Sequence, residues 1–220
     1  MTDVIIAPLD QLEARTFAGL RNAGADEASA GAATRAMLHA ARLGIDSHGV
    51  RVALHYARVL RSGRVNPTPK MQIRRTAIGS AVLDADNGLG HAAGYAAMKL
   101  ACSLAKEAGV GAVGVINSSH FGAAGAYALA GADAGFITVS MSNTDSIVGL
   151  HGGAERFHGT NPIAVGAPVP NQKPCFWTWQ PRRSLSITCS STRPWAGLCP
   201  RVSLPINQAS RPKILPLSRC

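Results

Sequence analysis

The chain has 220 residues, 46% of them hydrophobic, and a formal charge of +10. That length and apolar content suffice for one large domain or two small ones. With no apolar run of about 18 residues, a membrane-spanning helix is excluded, and "MTDVIIAPLDQ" has neither the basic start nor the long apolar region of a secretory signal, so a cytoplasmic location is expected.

The charge is unevenly spread. Residues 1–170 hold 14 Lys and Arg together with all 12 acids, whereas residues 171–220 hold 8 Lys and Arg and no acid. The basic excess that would otherwise suggest an anionic partner therefore belongs to the last fifty residues. That tail also contains all three Trp, four of the five Cys and only one of the 23 Gly. Its cysteines have no zinc-type spacing, and no metal is expected.

In chain order, residues 9–23 predict an amphipathic helix, with Leu9, Leu12, Phe17 and Leu20 near helical spacing and Gly24 as a stop. Residues 26–43 predict a second, Ala-rich helix whose acidic start suits the helix dipole. A polar connection, "GIDSHGV", leads into a third helix over 50–61, and "GRVNPTP" (63–69) is a breaker-rich linker. The pattern then changes to strand (77–86), helix (90–109), strand (110–118), helix (122–135) and strands at 136–143 and 163–168. Such alternation predicts an α/β layer architecture behind a helical N-terminal region. The expected division is 1–75 helical, 76–170 α/β, and 171–220 an irregular tail in which Pro recurs too often for helix and no strand alternation is sustained.

Four stretches place reactive side chains beside glycine in apolar surroundings. "DSHG" (46–49) sets the Ser47 hydroxyl next to the His48 imidazole, a pairing suited to proton donation. The same residues also read as a helix cap followed by a surface histidine. "NSSHFGAAGAY" (117–127) follows an apolar strand and precedes a helix, so its backbone amides can face an anion. Its glycine spacing is not that of the Rossmann fingerprint, and an ordinary turn reads equally well. "HGGAERFHGTNP" (151–162) is a long polar loop, a common carrier of function. His151 and His158 within it lack metal-ligand spacing. Arg51 is of the type that binds a carboxylate bidentately, or is a solvated helix arginine.

Taken together, "GIDSHGV…HY", "DADNGLGHAAGYAAM", "NSSHFGAAGAY" and "GGAERFHGTNPIAVGAPVP" resemble the type-2 malate/L-lactate dehydrogenases. That family includes ureidoglycolate dehydrogenases and Δ1-piperideine-2-carboxylate reductases. The resemblance runs from about residue 8 to about residue 170. It implies an NAD- or NADP-dependent oxidoreductase acting on a small 2-oxo, 2-imino or 2-hydroxy acid. It also implies a non-Rossmann α/β dinucleotide fold and a homodimer for the intact protein. On that reading His48 protonates the substrate heteroatom and Ser47 orients it or relays to it. His120 and Thr160 line the substrate pocket, and Phe121, Gly122, Ala123, Ala124 and Gly125 approach the cofactor. Arg51 holds the carboxylate, with one departure. In many members the Arg stands four residues after the His, where this chain has Val52, and adjacent positions on a helix point roughly 100° apart.

The tail departs further. The family continues with a strand ending in an "LDMATS"-like segment and later a "G-x-P-T-x-D-P"-like segment, and neither is present. The codons for Phe-Trp-Thr-Trp-Gln-Pro (176–181) are TTY TGG ACN TGG CAR CCN. Read from the last base of the Phe codon, they force Leu, Asp and Ala and permit Met and Thr, with Ser allowed next. The same shift over 208–216 permits "G-x-P-T-x-D-P". Translation in a shifted frame from about residue 171–174, with a premature terminus at Cys220, is therefore expected, as is loss of dehydrogenase activity. A basic aromatic tail gripping single-stranded nucleic acid by charge and stacking is the alternative. No nucleic-acid or membrane partner is expected on the family reading.

Overall fold

The computed structural model describes residues 7–149, 155–180 and 184–189. Its first layer is helical. Helix α1 (Leu9–Asn22) packs against α2 (Glu27–Arg42) and α3 (Ala53–Arg61), and α2 packs against the short 3₁₀ turn at Val50–Val52 that introduces α3. The start of α2 is set by Asp26, whose carboxylate accepts a 2.6 Å bond from the Ser29 N–H. This satisfies one of the donors a helix start leaves unpaired. Leu20, Met37, Tyr56 and Leu60 meet in the core between these helices, joined by Leu89 from the following segment. Each such side chain contributes roughly 1.5–3 kcal/mol on burial. Small residues on α2, among them Ala30 and Ala33, lie fully buried in the same core, and their size brings the helices close.

The α/β part is built from small sheets. Strands β1 (Gln72–Ala77) and β2 (Ser80–Asp84) form an antiparallel hairpin, and β2 pairs in parallel with β3 (Ala112–Ile116). The crossover between β2 and β3 is helix α4 (Gly90–Ala108), the connection a parallel pair requires. Helix α5 (Gly125–Asp133) then leads to β4 (Thr138–Met141), the short pair β5 (Val148–Gly149) and β6 (Arg156–His158), and β7 (Ile163–Ala167). Strand β7 lies between β4 and β8 (Cys175–Gln180), and β8 pairs with β9 (Ser184–Cys189), all antiparallel.

The predicted mixed α/β architecture is present, with three differences. The single strand expected at 77–86 is a hairpin. Its first arm, β1, is exposed throughout, so no apolar alternation announced it, and it crosses the boundary drawn at residue 75. The loop expected at 151–162 contributes β6, paired to β5. The tail expected to be irregular from residue 171 is strand over Cys175–Gln180 and Ser184–Cys189. Phe, Trp, Thr and Ile favour a pleated, half-buried surface, and β7 offers a register running from Ile163↔Trp179 to Ala167↔Cys175. Phe176 is buried in that position. Residues 190–220 and His151 lie outside the described residues.

Several sheet surfaces carry exposed apolar side chains. On β4, Val139 is 49% and Met141 64% exposed, and Ile137 just before it is 79% exposed. On β3, Val115 and Ile116 are exposed, as is Val110 before it. Both strands stand at the end of their sheet's order.

Candidate active site

The "DSHG" segment is the turn between α2 and α3. Ser47 is exposed and His48 half-buried, and Ser47 Oγ lies 2.9 Å from His48 Nδ1. Just beyond the 3₁₀ turn, Tyr56 is carried on the buried face of α3, 2% exposed. Its hydroxyl lies 2.7 Å from Nδ1 of His120, which arrives from the loop after β3. The His48 and His120 rings are thereby brought to 5.6 Å between centroids, tilted by 30°. Tyr56 and His120, 64 positions apart, thus join one cluster because α3 meets the loop that precedes α5.

Behind Tyr56 stands His91, in the first turn of α4. It is fully buried, presents its ring at 86° to Tyr56 with 4.6 Å between centroids, and has no hydrogen-bond partner for either ring nitrogen among the described residues. Burial, reinforced by His120 and His48, lowers its pKa to about 3, so the ring is neutral at ordinary pH. Burial also lowers the pKa of His48. The same cause lowers that of His120, with His48 and His55 adding to it. His120 is exposed, whereas His91 is fully buried. Burial raises the pKa of Tyr56, which keeps its hydroxyl protonated.

The loop expected to approach a cofactor is built tightly. Gly122 has φ 74°, and a Cβ there would stand 2.9 Å from His91 Nε2. A Cβ on Gly125 would stand 2.8 Å from a ring carbon of Phe176. The two glycines thus serve packing inside the protein. Phe121 stacks on Tyr127, 5.1 Å between centroids, and its carbonyl accepts from the Tyr127 hydroxyl. Among the described residues nothing accepts from the N–H groups of Gly122, Ala123 and Ala124, which precede α5. Those amides suit an anionic group such as a dinucleotide's phosphates.

Arg51 and Thr160 lie apart from the histidines in their contacts. Arg51 faces Asp46 at 3.8 Å with both side chains more than 70% exposed, a weak surface pair. Thr160 donates its N–H to Thr144 Oγ1 at 2.8 Å, and Asn161 Oδ1 accepts from the Thr144 N–H at 3.1 Å. This joins the loop after β6 to the loop after β4. Two surface clefts, of about 370 and 610 Å³, are lined by residues such as Asp10, Phe17 and Thr34, and by Asp133, Pro168 and Lys173. Neither touches His48 or His120, whose cluster is an open face. No group of three or more His, Cys, Asp or Glu among the described residues is arranged to hold a metal, and no described helix is long and apolar enough to cross a membrane.

Residues 7–177 match the malate/L-lactate dehydrogenase family. The chain belongs to that family. It is 42% identical over 162 residues to a malate dehydrogenase of Pyrococcus abyssi, covering 74% of this chain and 45% of that protein. It is 36% identical over 149 residues to the ureidoglycolate dehydrogenase (NAD(+)) of Escherichia coli K12, covering 68% of this chain and 43% of that one. The solved malate dehydrogenase of Pyrococcus horikoshii superimposes with a TM-score of 0.75 at 39% identity, over 80% of this chain and 50% of that one. The chain thus spans about half the length of the curated relatives it matches.

The family match runs past the residue-170 limit expected from the motifs and includes the first residues of β8. The sequence alone assigns no role to Tyr56, His91 or Tyr127. Each sits inside one of the family-like motifs, yet an aromatic or histidine on an apolar helix face looks like core until its partner is known.

Proposed function

We propose that this chain is the N-terminal part of an NAD- or NADP-dependent oxidoreductase that transfers hydride to or from a small 2-oxo, 2-imino or 2-hydroxy acid. The observation that carries the reading is the meeting of the Ser47–His48 pair with His120 on one open face. When bound, the nicotinamide supplies or accepts the hydride.

His48 delivers the proton to the substrate heteroatom; burial lowers its pKa, so its charged ring is the stronger acid and the less populated form. Ser47, 2.9 Å from Nδ1, fixes the rotation of that ring. His120 offers its second ring nitrogen to the substrate, and Thr160 completes the pocket. Arg51 takes the carboxylate by leaving its exposed partner Asp46. The amides of Gly122, Ala123 and Ala124, flanked by Phe121 and Gly125, receive the cofactor. The intact protein on this reading is a cytoplasmic homodimer.

Residues from about 171–174 onward are proposed to be read in a shifted frame. Phe176 and Trp177 then occupy the strand in which the family carries its "LDMATS"-like segment, without the Asp of that segment. The 220-residue chain is therefore proposed to be inactive. The nucleic-acid alternative draws less support: Phe176 is 4% exposed and so withheld from stacking on bases, although Trp177 beside it is 40% exposed.

Sequencing the coding region tests the frame. A one-base shift with a dehydrogenase-like frame downstream is expected, and an uninterrupted gene without one overturns it. Purified chain given NADH or NADPH with pyruvate, oxaloacetate or Δ1-piperideine-2-carboxylate is expected to show no turnover. The frame-restored protein is expected to turn over a substrate of this class. Turnover by the 220-residue chain refutes the inactivity, and an inert restored protein refutes the reaction.

A further inference from the structure

We infer that Tyr56 is a positioning residue that holds His120 in a single tautomer, with the proton on Nε2 and Nδ1 as acceptor. The inference rests on the reading of His120 as a substrate-facing group and adds a residue to that site.

The geometry decides the direction of the bond. Tyr56 is 2% exposed, and His120 Nδ1, at 2.7 Å, is the partner of its hydroxyl among the described residues. Were Nδ1–H to donate to the phenol oxygen, the phenol proton would be left buried with no acceptor. A buried donor left without an acceptor is disfavoured, and buried polar groups are almost always paired. With the hydroxyl donating, the phenol proton has an acceptor, and the neutral imidazole carries its own proton on Nε2.

The hydroxyl is held in place from behind. His91 packs edge-on against the Tyr56 ring at 4.6 Å, and the backbone at Gly122 closes over His91 so nearly that a Cβ would reach Nε2 at 2.9 Å. No hydrogen bond joins Tyr56 to either His91 nitrogen, so the hydroxyl's bond goes to His120. His120 therefore meets an acceptor on the substrate with an N–H donor already aimed and assigned. His48 is then left as the group that gives up a proton.

Nitrogen-15 NMR of the imidazoles in the 220-residue chain, at a pH above their titration, reads the tautomer without requiring turnover. His120 is expected to show a protonated Nε2 and an unprotonated Nδ1. In Tyr56→Phe, which keeps the ring and removes the hydroxyl, the two nitrogens are expected to move toward averaged values. The His120 midpoint is expected to rise, because a bond favouring the neutral ring is gone while His48, His55 and His91 still face it. A protonated Nδ1 in the unsubstituted chain overturns the inference, even if Tyr56→Phe fails to fold. So does a folded Tyr56→Phe protein whose His120 signals are unchanged. Failure of the oxidoreductase reading would appear in turnover of the frame-restored protein and leave these signals as they are.

Discussion

Phe176 lies against the backbone of Gly125 so closely that a methyl group on the glycine would stand 2.8 Å from the ring, and the same ring meets His39 of α2 at 5.1 Å. An aromatic residue of the unusual tail is thus clamped between the start of α5 and α2. Phe176→Ala is expected to destabilise the chain by about 3–5 kcal/mol, as truncation of a buried aromatic does. Urea unfolding monitored by circular dichroism checks this. A change near zero would mean that β8 contributes nothing to the folded state.

Acid should weaken the fold through its buried histidines. Burial lowers the pKa of His91 to about 3 and, with help from Arg42 and Arg35, that of His39 to about 4, from an ordinary 6.5. Between those values and 6.5 the unfolded chain binds more protons than the folded one. Stability is therefore fully present above about pH 6.5 and falls as pH drops toward 3–4. For His91 the limiting slope is about 1.4 kcal/mol per pH unit. Unfolding midpoints at pH 7 and pH 5 should show the loss, and His91→Leu should reduce it while leaving the share of His39.

Gly122 combines a left-handed backbone with a close neighbour. Gly122→Ala is expected to cost about 1–2 kcal/mol from the backbone alone, with more from the contact at 2.9 Å with His91. Gly114, in β3, has no such neighbour within 4 Å, so Gly114→Ala should change stability by no more than about 0.5 kcal/mol. Paired denaturation curves separate the two. Equal effects would overturn both the backbone cost and the His91 contact as sources of strain at Gly122.

The exposed apolar side chains of β4 and its approach are expected to drive self-association. Ile137→Lys combined with Met141→Lys, at positions 79% and 64% exposed, should lower aggregation in light scattering while shifting stability by no more than about 0.5 kcal/mol per site. Unchanged scattering would assign the liability to another surface.

The sequence by itself determined the layer order, the helices, the family and the chemistry-bearing turns. Apolar spacing along α1, the acidic start of α2 and the nearly continuous apolar run of β3 are local signals, whereas the capping bond of Asp26 to the Ser29 N–H became visible only in the structure. The "DSHG" and "NSSHFGAAGAY" stretches were likewise legible, because reactive residues beside glycine stand out from their surroundings. Only the tertiary structure decided which of these residues meet. It joined His120 to Tyr56 and set His91 behind both, since contacts between α3, α4 and the loop before α5 depend on packing across many residues of chain. It also made strand of Cys175–Gln180, where the residue order shows no sustained pattern. There β7 supplies the hydrogen-bonding edge, Gly125 supplies the space for Phe176, and neither is visible from the tail itself.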